Sequence, residues 1–458
     1  MNRGAAFYRN VVRLALPILL QNLCTTLLGL IDTFMVGALG EAPLAAVLVA
    51  NIPVFVIQLV IFGLQSGSSV LISQFWGKGD TESINRVIGL GCYVAGAISL
   101  AFASVMFFLP EQLMGLLTDN QELVPLAAQY ARIVGFSYIF NSLTGVYVGA
   151  HRSMENPKLG MIIFGASMLT NAFLNWVFIF GNLGAPALGV VGAAVATLSA
   201  RVLEFVIMFS YALTNHRFRL KPAVLFRPGR ALLAKFLHYS GPVVLNETLW
   251  GLGTTVMTAI LGHMTDSADM LAAYTIMGNI DKFTTVSCFG LAGATAVILG
   301  KAIGEGTDKN HVYDLSWCLL LVSFLLGLVL AAALAVALPL VFIPYLYPLF
   351  SLSPLATEAA ATLCVVYLIL LPLKSFDISN ITGVLRSGGD VRMATIIDLT
   401  PLWCVAVPMA ALTALVLEAP LPLVCVSIYS ENICKMPLGI LRLRSRKWIN
   451  DVTRRSPS

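Results

Sequence analysis

Apolar stretches of about 20 residues or more succeed one another along almost the whole chain, each the length needed to cross a bilayer as a helix. They fall near 11–39, 44–74, 87–109, 123–149, 160–182 and 188–213, and again near 236–263, 270–303, 311–344, 355–385, 391–418 and 420–441. Several are longer than a bilayer is thick, which predicts tilted or bent helices. Glycine and proline interrupt these runs, and no ten-residue alternation of apolar and polar positions appears, so the pattern predicts helices and not a β-barrel. The expected fold is an all-α integral membrane protein with twelve transmembrane helices as two six-helix bundles: an amino-terminal lobe over 1–213, a cytoplasmic linker over 214–235, a carboxy-terminal lobe over 236–441 and a basic tail over 442–458.

The polar connections carry a second pattern. Lysine and arginine concentrate at the amino terminus (Arg3, Arg9, Arg13) and in every even-numbered connection, including Lys78 and Arg86, Arg152 and Lys158, Arg217 to Lys235, Lys301 and Lys309, and Arg386 and Arg392. The tail repeats the enrichment with Arg442, Arg444, Arg446, Lys447, Arg454 and Arg455. The odd connections, around Glu41, Asp119, Gly184, Asp266, Pro348 and Pro420, have none. By the positive-inside rule both termini are cytoplasmic and the span count is even. The basic start followed by an apolar run looks like a signal peptide, but Asp32 interrupts it and no small-residue cleavage site follows, so it reads as an uncleaved first span of a multi-pass protein of the cell inner membrane.

Composition narrows the picture. Hydrophobic residues make up 58% of the 458, and only 11% are charged, against about a quarter in soluble domains. The net charge of +5 is therefore a topology signal, and no basic and aromatic interleaving suggests nucleic acid. Eight cysteines are scattered, without a CxxC pair or a Cys/His cluster, which argues against structural disulfides, zinc or any cofactor. Membrane lipids are the expected surroundings, and nothing calls for a protein partner; a monomer is expected.

An internal repeat is legible. Phe62-Gly63-Leu64 and Gly77-Lys78-Gly79 recur as Phe289-Gly290-Leu291 and Gly304-Glu305-Gly306 at an offset of 227, while Pro17 and Gly37 match Pro242 and Gly262 at 225. Thr144-Gly145-Val146 returns as Thr382-Gly383-Val384. With six spans per half, both copies begin on the same side, so the repeat is parallel, as in transporters that rock one bundle against another around a midplane site.

Inside these spans stand ionisable residues whose insertion costs about 2.5 to 3.5 kcal/mol each, which makes them markers of ion pathways. Asp32 lies in the first span, Glu247 in the seventh, Asp281 and Lys282 in the eighth, and Lys374 and Asp377 in the tenth. Asn171 and Asn175, at i and i+4, put two amides on one helix face where they complement Asp32 as a proton or sodium site, or bond neighbouring helices. At the repeat offset Glu247 corresponds to Asn22 and Asp32 to Met257, so the halves hold acid at different places. Lys374 and Asp377 are spaced to pair, which would shift the ion chemistry to Glu247; Asp281 is an alternative partner for Lys282 or Lys374. Glu204 and Glu431, 227 apart, read as structural, with Arg132 and Arg201 as local partners. Phe34, Trp250, Phe283, Phe376 and Trp403 offer cation–π surfaces to a flat cation, a weaker reading because aromatics are common in membrane helices.

Three segments then give a resemblance: Ala15-Leu16-Pro17 leading to Ile31-Asp32-Thr33-Phe34-Met35-Val36-Gly37, Ser73-Gln74-Phe75-Trp76-Gly77-Lys78-Gly79-Asp80, and Leu385-Arg386-Ser387-Gly388-Gly389-Asp390. With them the chain resembles the MATE (multidrug and toxic compound extrusion) family, NorM-like branch, along nearly its whole length. The resemblance implies a V-shaped pair of bundles and drug extrusion against inward sodium or protons. It maps Asp32 onto the family's first-span acid, Asn171 and Asn175 onto the amides grouped with it, Glu247 onto the seventh-span acid and Asp377 onto the tenth-span acid; Lys374 departs from the pattern. The expected function is secondary antiport of small, mainly cationic organic compounds, with Na+ or H+ as the coupling ion. The rivals are a flippase of lipid-linked substrates, which Lys282 and Lys374 would suit, and a membrane-embedded enzyme, against which stands the lack of HExxH, nucleophile-elbow and P-loop motifs.

Overall fold

The computed structural model describes residues 4–215, 218–225, 229–264, 267–347 and 352–454. Arg3, Arg217, Arg227, Asp266, Pro348 and Arg455, used above for topology, lie outside the described residues. Among those described, the chain is helical with no strand. The first six long helices are α1 (Ala5–Gly37), α2 (Glu41–Lys78), α3 (Thr81–Phe108), α4 (Leu123–Ser153), α5 (Lys158–Phe180) and α6 (Val190–Thr214). The second six are α7 (Arg230–Gly262), α8 (Ser267–Gly304), α9 (Lys309–Ala337), α10 (Pro354–Ile378), α11 (Val391–Pro401) and α12 (Leu421–Arg444). Wider π-helical turns extend α9 to Leu346 and α10 to Leu385, and alternate with α-helix beyond α11 to Val416. Ten of these helices are long and apolar enough to cross a membrane. The other two, α7 and α12, are more polar because they carry Asn246 and Glu247, and Glu431 and Lys435.

The repeat is visible in how helices stop and start. α2 ends at Gly79 and α8 runs into Gly306, with φ of +74° and +76°, a left-handed conformation that glycine adopts without a Cβ penalty. Asp80 then caps α3 by accepting from the Ser83 N–H at 2.9 Å, and Asp308 caps α9 by accepting from the Asn310 N–H at 3.0 Å. Both Gly-x-Gly motifs are therefore helix terminators of equivalent design.

Packing divides the chain into two compact units, Leu20–Val244 and Met1–Leu19 with Leu245–Ser458. The cuts fall inside α1 and α7, each two residues beyond a proline (Pro17 and Pro242), and not in the 214–235 linker. Proline removes an intrahelical hydrogen bond and bends the helix, which lets the two ends of one helix join different units. Val36, Ala50, Met106, Ala131 and Ala194 belong to the core of the Leu20–Val244 unit, hereafter the amino unit. The other, the carboxy unit, has one core around Leu261, Met277, Leu363, Tyr367 and Val424 and another around Leu299, Leu319, Phe376, Val384 and Trp448.

In the carboxy unit α9 and α10 approach closely where α10 carries its ionisable residues. Ser323 Oγ donates to the Ser375 carbonyl at 2.7 Å, Ser375 Oγ donates back to the Ser323 carbonyl at 2.7 Å, and the hydroxyls of Ser323 and Ser379 are 2.6 Å apart. One turn along, a Cβ on Gly327 would lie 2.6 Å from the Cα of Pro372, a backbone atom that cannot swing aside. Gly327→Ala should therefore destabilise the protein by about 1–3 kcal/mol through overpacking, read as a lower thermal midpoint of purified protein in detergent.

Candidate functional site

In the amino unit, the first-span acid meets the two amides. The Asn175 amide Nδ2 donates to Asp32 Oδ1 at 2.5 Å and to Asn171 Oδ1 at 3.1 Å, and Asn171 Nδ2 donates to Thr197 Oγ1 at 3.4 Å. Both asparagines are fully buried, and Asp32 is half-buried. The i to i+4 spacing of Asn171 and Asn175 on α5 makes the ladder possible, and Thr197 on α6 closes it. The ladder leaves Asn175 Oδ1 buried without a hydrogen-bond partner, an acceptor beside a carboxylate. Arg201 is near enough to act on the Asp32 charge, but its guanidinium is held by Glu204 at 2.5 Å on the same helix. Glu204 thus has a structural partner, as its repeat-symmetric placement suggested, and Arg132 pairs with Glu111 at 3.3 Å.

The carboxy unit holds a larger network. Arg386 Nη2 donates to Glu247 Oε1 at 2.8 Å. Asn246 Nδ2 donates to Asp398 Oδ2 at 2.8 Å, and Lys435 reaches both Asp398 Oδ1 and Glu431 Oε2 at 2.8 Å. Asp377 sits among them, close enough to feel Lys435, Asp398 and Glu431, yet neither of its carboxyl oxygens has a hydrogen-bond partner. Its neighbour Asn380, fully buried, is likewise without partners at both side-chain atoms. Asn380 lies against Gly439 of α12, where a Cβ would come within 2.4 Å of its Nδ2. The π-helical turn that begins at Ser379 widens α10 directly after Asp377, a deformation that often accompanies functional sites.

Charge decides what this network requires. Glu247, Asp377, Asp398 and Glu431 bring four carboxylates, and Arg386 and Lys435 bring two cations. An uncompensated buried charge costs several kcal/mol, so the two carboxylates in excess are met either by protonation or by a bound cation.

Lys374 does not pair with Asp377. Its ammonium bonds to Asp281 of α8, which also accepts from Tyr367 Oη at 2.5 Å and from Thr285 Oγ1 at 3.1 Å. The carboxylate across the helix interface, with two hydroxyl donors already on it, offers Lys374 more than the same-helix Asp377, which is left open. Lys282 is exposed and stands apart from this pair. The aromatics separate as well: Phe34 is 76% exposed and Phe283 exposed, Trp250 is half-buried against the core, and Phe376, buried at 4%, is a core residue. Sequence reasoning missed Arg386, Asp398 and Lys435. Arg386 reads as a loop charge but is buried. Asp398 interrupts an apolar run and Lys435 follows Glu431 at i+4, and both signals are visible in the sequence.

Twelve helices among the described residues, in a repeated design with buried acids in both units, are the architecture of a multi-pass membrane transporter. The MatE family model matches residues 17–177 and 242–412, which is one match per half. The chain belongs to the MatE family, a family of transporters. It is 27% identical over 435 residues to the "Uncharacterized transporter YisQ" of Bacillus subtilis, covering 94% of this chain and 93% of the relative. It is 23% identical over 456 residues to the "Probable multidrug resistance protein NorM" of Thermotoga maritima, covering 96% and 93%. Among solved structures, it is similar to a MOP superfamily transporter from Pyrococcus furiosus described as having a binding pocket of reverse polarity, with a TM-score of 0.86, 22% identity, and coverage of 97% and 96%. A MATE transporter in an outward-facing conformation gives a TM-score of 0.85 at 22% identity, covering 95% of each chain.

Proposed function

We propose that the protein is a cation-coupled multidrug efflux antiporter of the inner membrane, both termini cytoplasmic, exporting small, mainly cationic organic compounds by alternating access. The observation that carries this reading is Asp377, a buried carboxylate with both oxygens unpartnered in a network two positive charges short. A transported cation or a coupling ion supplies that charge and then leaves. Asp32 with its amide ladder is a second ion-coupling site, and Asn175 Oδ1 is an oxygen available to sodium there. Named multidrug relatives support the drug-export part of the reading. A monovalent cation entering down 100 mV releases about 2.3 kcal/mol, which the export of a monovalent cation against the same potential consumes, so a one-for-one exchange is driven by the ion's concentration gradient, about 1.4 kcal/mol per tenfold.

The coupling ion is H+ or Na+, and a reconstituted system separates them. Purified protein in liposomes, given a pH gradient or a sodium gradient alone, should accumulate an ethidium-like dye in response to one of them. Accumulation under neither gradient would refute ion-coupled export of such cations.

A further inference from the structure

The carboxy-terminal tail folds back on the helix ends. Trp448 is fully buried and its indole N–H donates to the Leu443 carbonyl at 3.2 Å, while the Asn450 N–H donates to the Gly388 carbonyl at 2.9 Å. Gly388 is needed for that approach, because a Cβ there would stand 2.3 Å from the Trp448 carbonyl oxygen. The clamp holds the backbone next to Lys447, which lines a groove of about 420 Å³ between α11 and α12. Ile396, Leu438 and Leu441 line the groove, exposed at 53%, 41% and 66%. Its other end is polar: Arg442, Ser445 and Lys447.

Arg442 is held in place there. Its Nε bonds to Asp390 Oδ2 at 2.5 Å, which leaves the terminal nitrogens of the fork for another acceptor. Arg442 and Lys447 against Asp390 leave one net positive charge beside an apolar trench. That combination matches a lipid with one net negative charge, its phosphate at the cations and the start of an acyl chain along the trench. The volume is too small for a whole lipid and suits the headgroup and first part of one chain. Basic pockets between helices at a cytoplasmic membrane face take anionic headgroups for the same reason.

We infer that this groove is a binding site for an anionic phospholipid, held by Arg442 and Lys447. The cytoplasmic placement proposed above gives the site its setting, but binding can be measured without orientation or transport. The full-length protein is purified in mild detergent with equal mole fractions of phosphatidylglycerol and phosphatidylcholine, and bound lipid is counted by native mass spectrometry. Wild type should retain phosphatidylglycerol in preference. Lys447→Gln should cut that preference about fivefold, the equivalent of about 1 kcal/mol for one interfacial cation. Ile396→Trp, which fills the trench and leaves both cations, should also reduce retention. Unchanged thermal midpoints in phosphatidylcholine would show that both variants fold. Equal retention of the two lipids by wild type, or wild-type preference in both variants, would overturn the inference. Displacement of phosphatidylglycerol by millimolar inorganic phosphate would overturn it too, since that would mark a simple anion site.

Discussion

Asp32→Asn should reduce ion-driven dye transport to the level of empty vesicles while the protein remains folded. The substitution keeps the shape of the side chain and an oxygen to accept from Asn175, so the amide ladder through Asn171 to Thr197 survives. What disappears is the negative charge, and with it the ability to hold a proton or attract sodium. Because the site is half-buried, removing the charge relieves desolvation and leaves no group orphaned, and Arg201, which feels the Asp32 charge, keeps Glu204 as its partner. The thermal midpoint should therefore stay level or rise, which separates loss of function from loss of fold. Asp32→Ala would confound the two, since it removes an acceptor of the buried Asn175 amide. Full ion-driven transport in the asparagine variant would take Asp32 out of the mechanism.

The second large effect falls on stability. Arg386→Gln should destabilise the protein by about 3–5 kcal/mol, the usual cost of leaving one member of a buried ion pair alone. Arg386 is 2% exposed and its partner Glu247 8% exposed, so water cannot take over the solvation of the widowed carboxylate. The loss should be worse because the network already has two carboxylates in excess. A double variant, Arg386→Gln with Glu247→Gln, should recover much of the midpoint, since two neutral amides can bond to each other. The double-mutant cycle isolates the pair from the other contacts of Arg386. If Glu247→Gln brings no recovery in the Arg386→Gln background, the ion pair is not what holds this region together.

The spans, the repeat and the buried acids were readable from the chain because each depends on local pattern. About 20 apolar residues in a row need no knowledge of their neighbours, and the offset of 227 between the Gly-x-Gly terminators is a property of the sequence itself. The Asp32, Asn171 and Asn175 cluster was also legible, since i to i+4 spacing fixes two of its three members on one face. The pairing inside the carboxy unit was not. Lys374 has Asp377 within reach by spacing and Asp281 within reach only through the packing of α8 on α10, and the packing decides. Arg386 looks like a loop charge because it stands in Leu385-Arg386-Ser387-Gly388-Gly389-Asp390, where glycines announce a turn. It is buried instead, at 2% exposure, with its guanidinium bonded to Glu247 of α7. The 214–235 linker is conspicuous because it is charged and contains proline, whereas the division of packing inside α1 and α7 after Pro17 and Pro242 appears only when side chains choose their neighbours.

The central claim is that buried carboxylates exchange a small cation for the transported compound, and cation release upon substrate binding tests it most directly. By linkage, a substrate that competes with the ion must displace it, and the ion must weaken the substrate in return. Tetraphenylphosphonium added to purified protein in weakly buffered, sodium-defined detergent should release protons, seen by an indicator dye, or bound sodium, seen by a sodium electrode. The release should shrink in Asp32→Asn and Asp377→Asn and vanish when both are combined. Saturable tetraphenylphosphonium binding with no displacement of either ion would contradict the account.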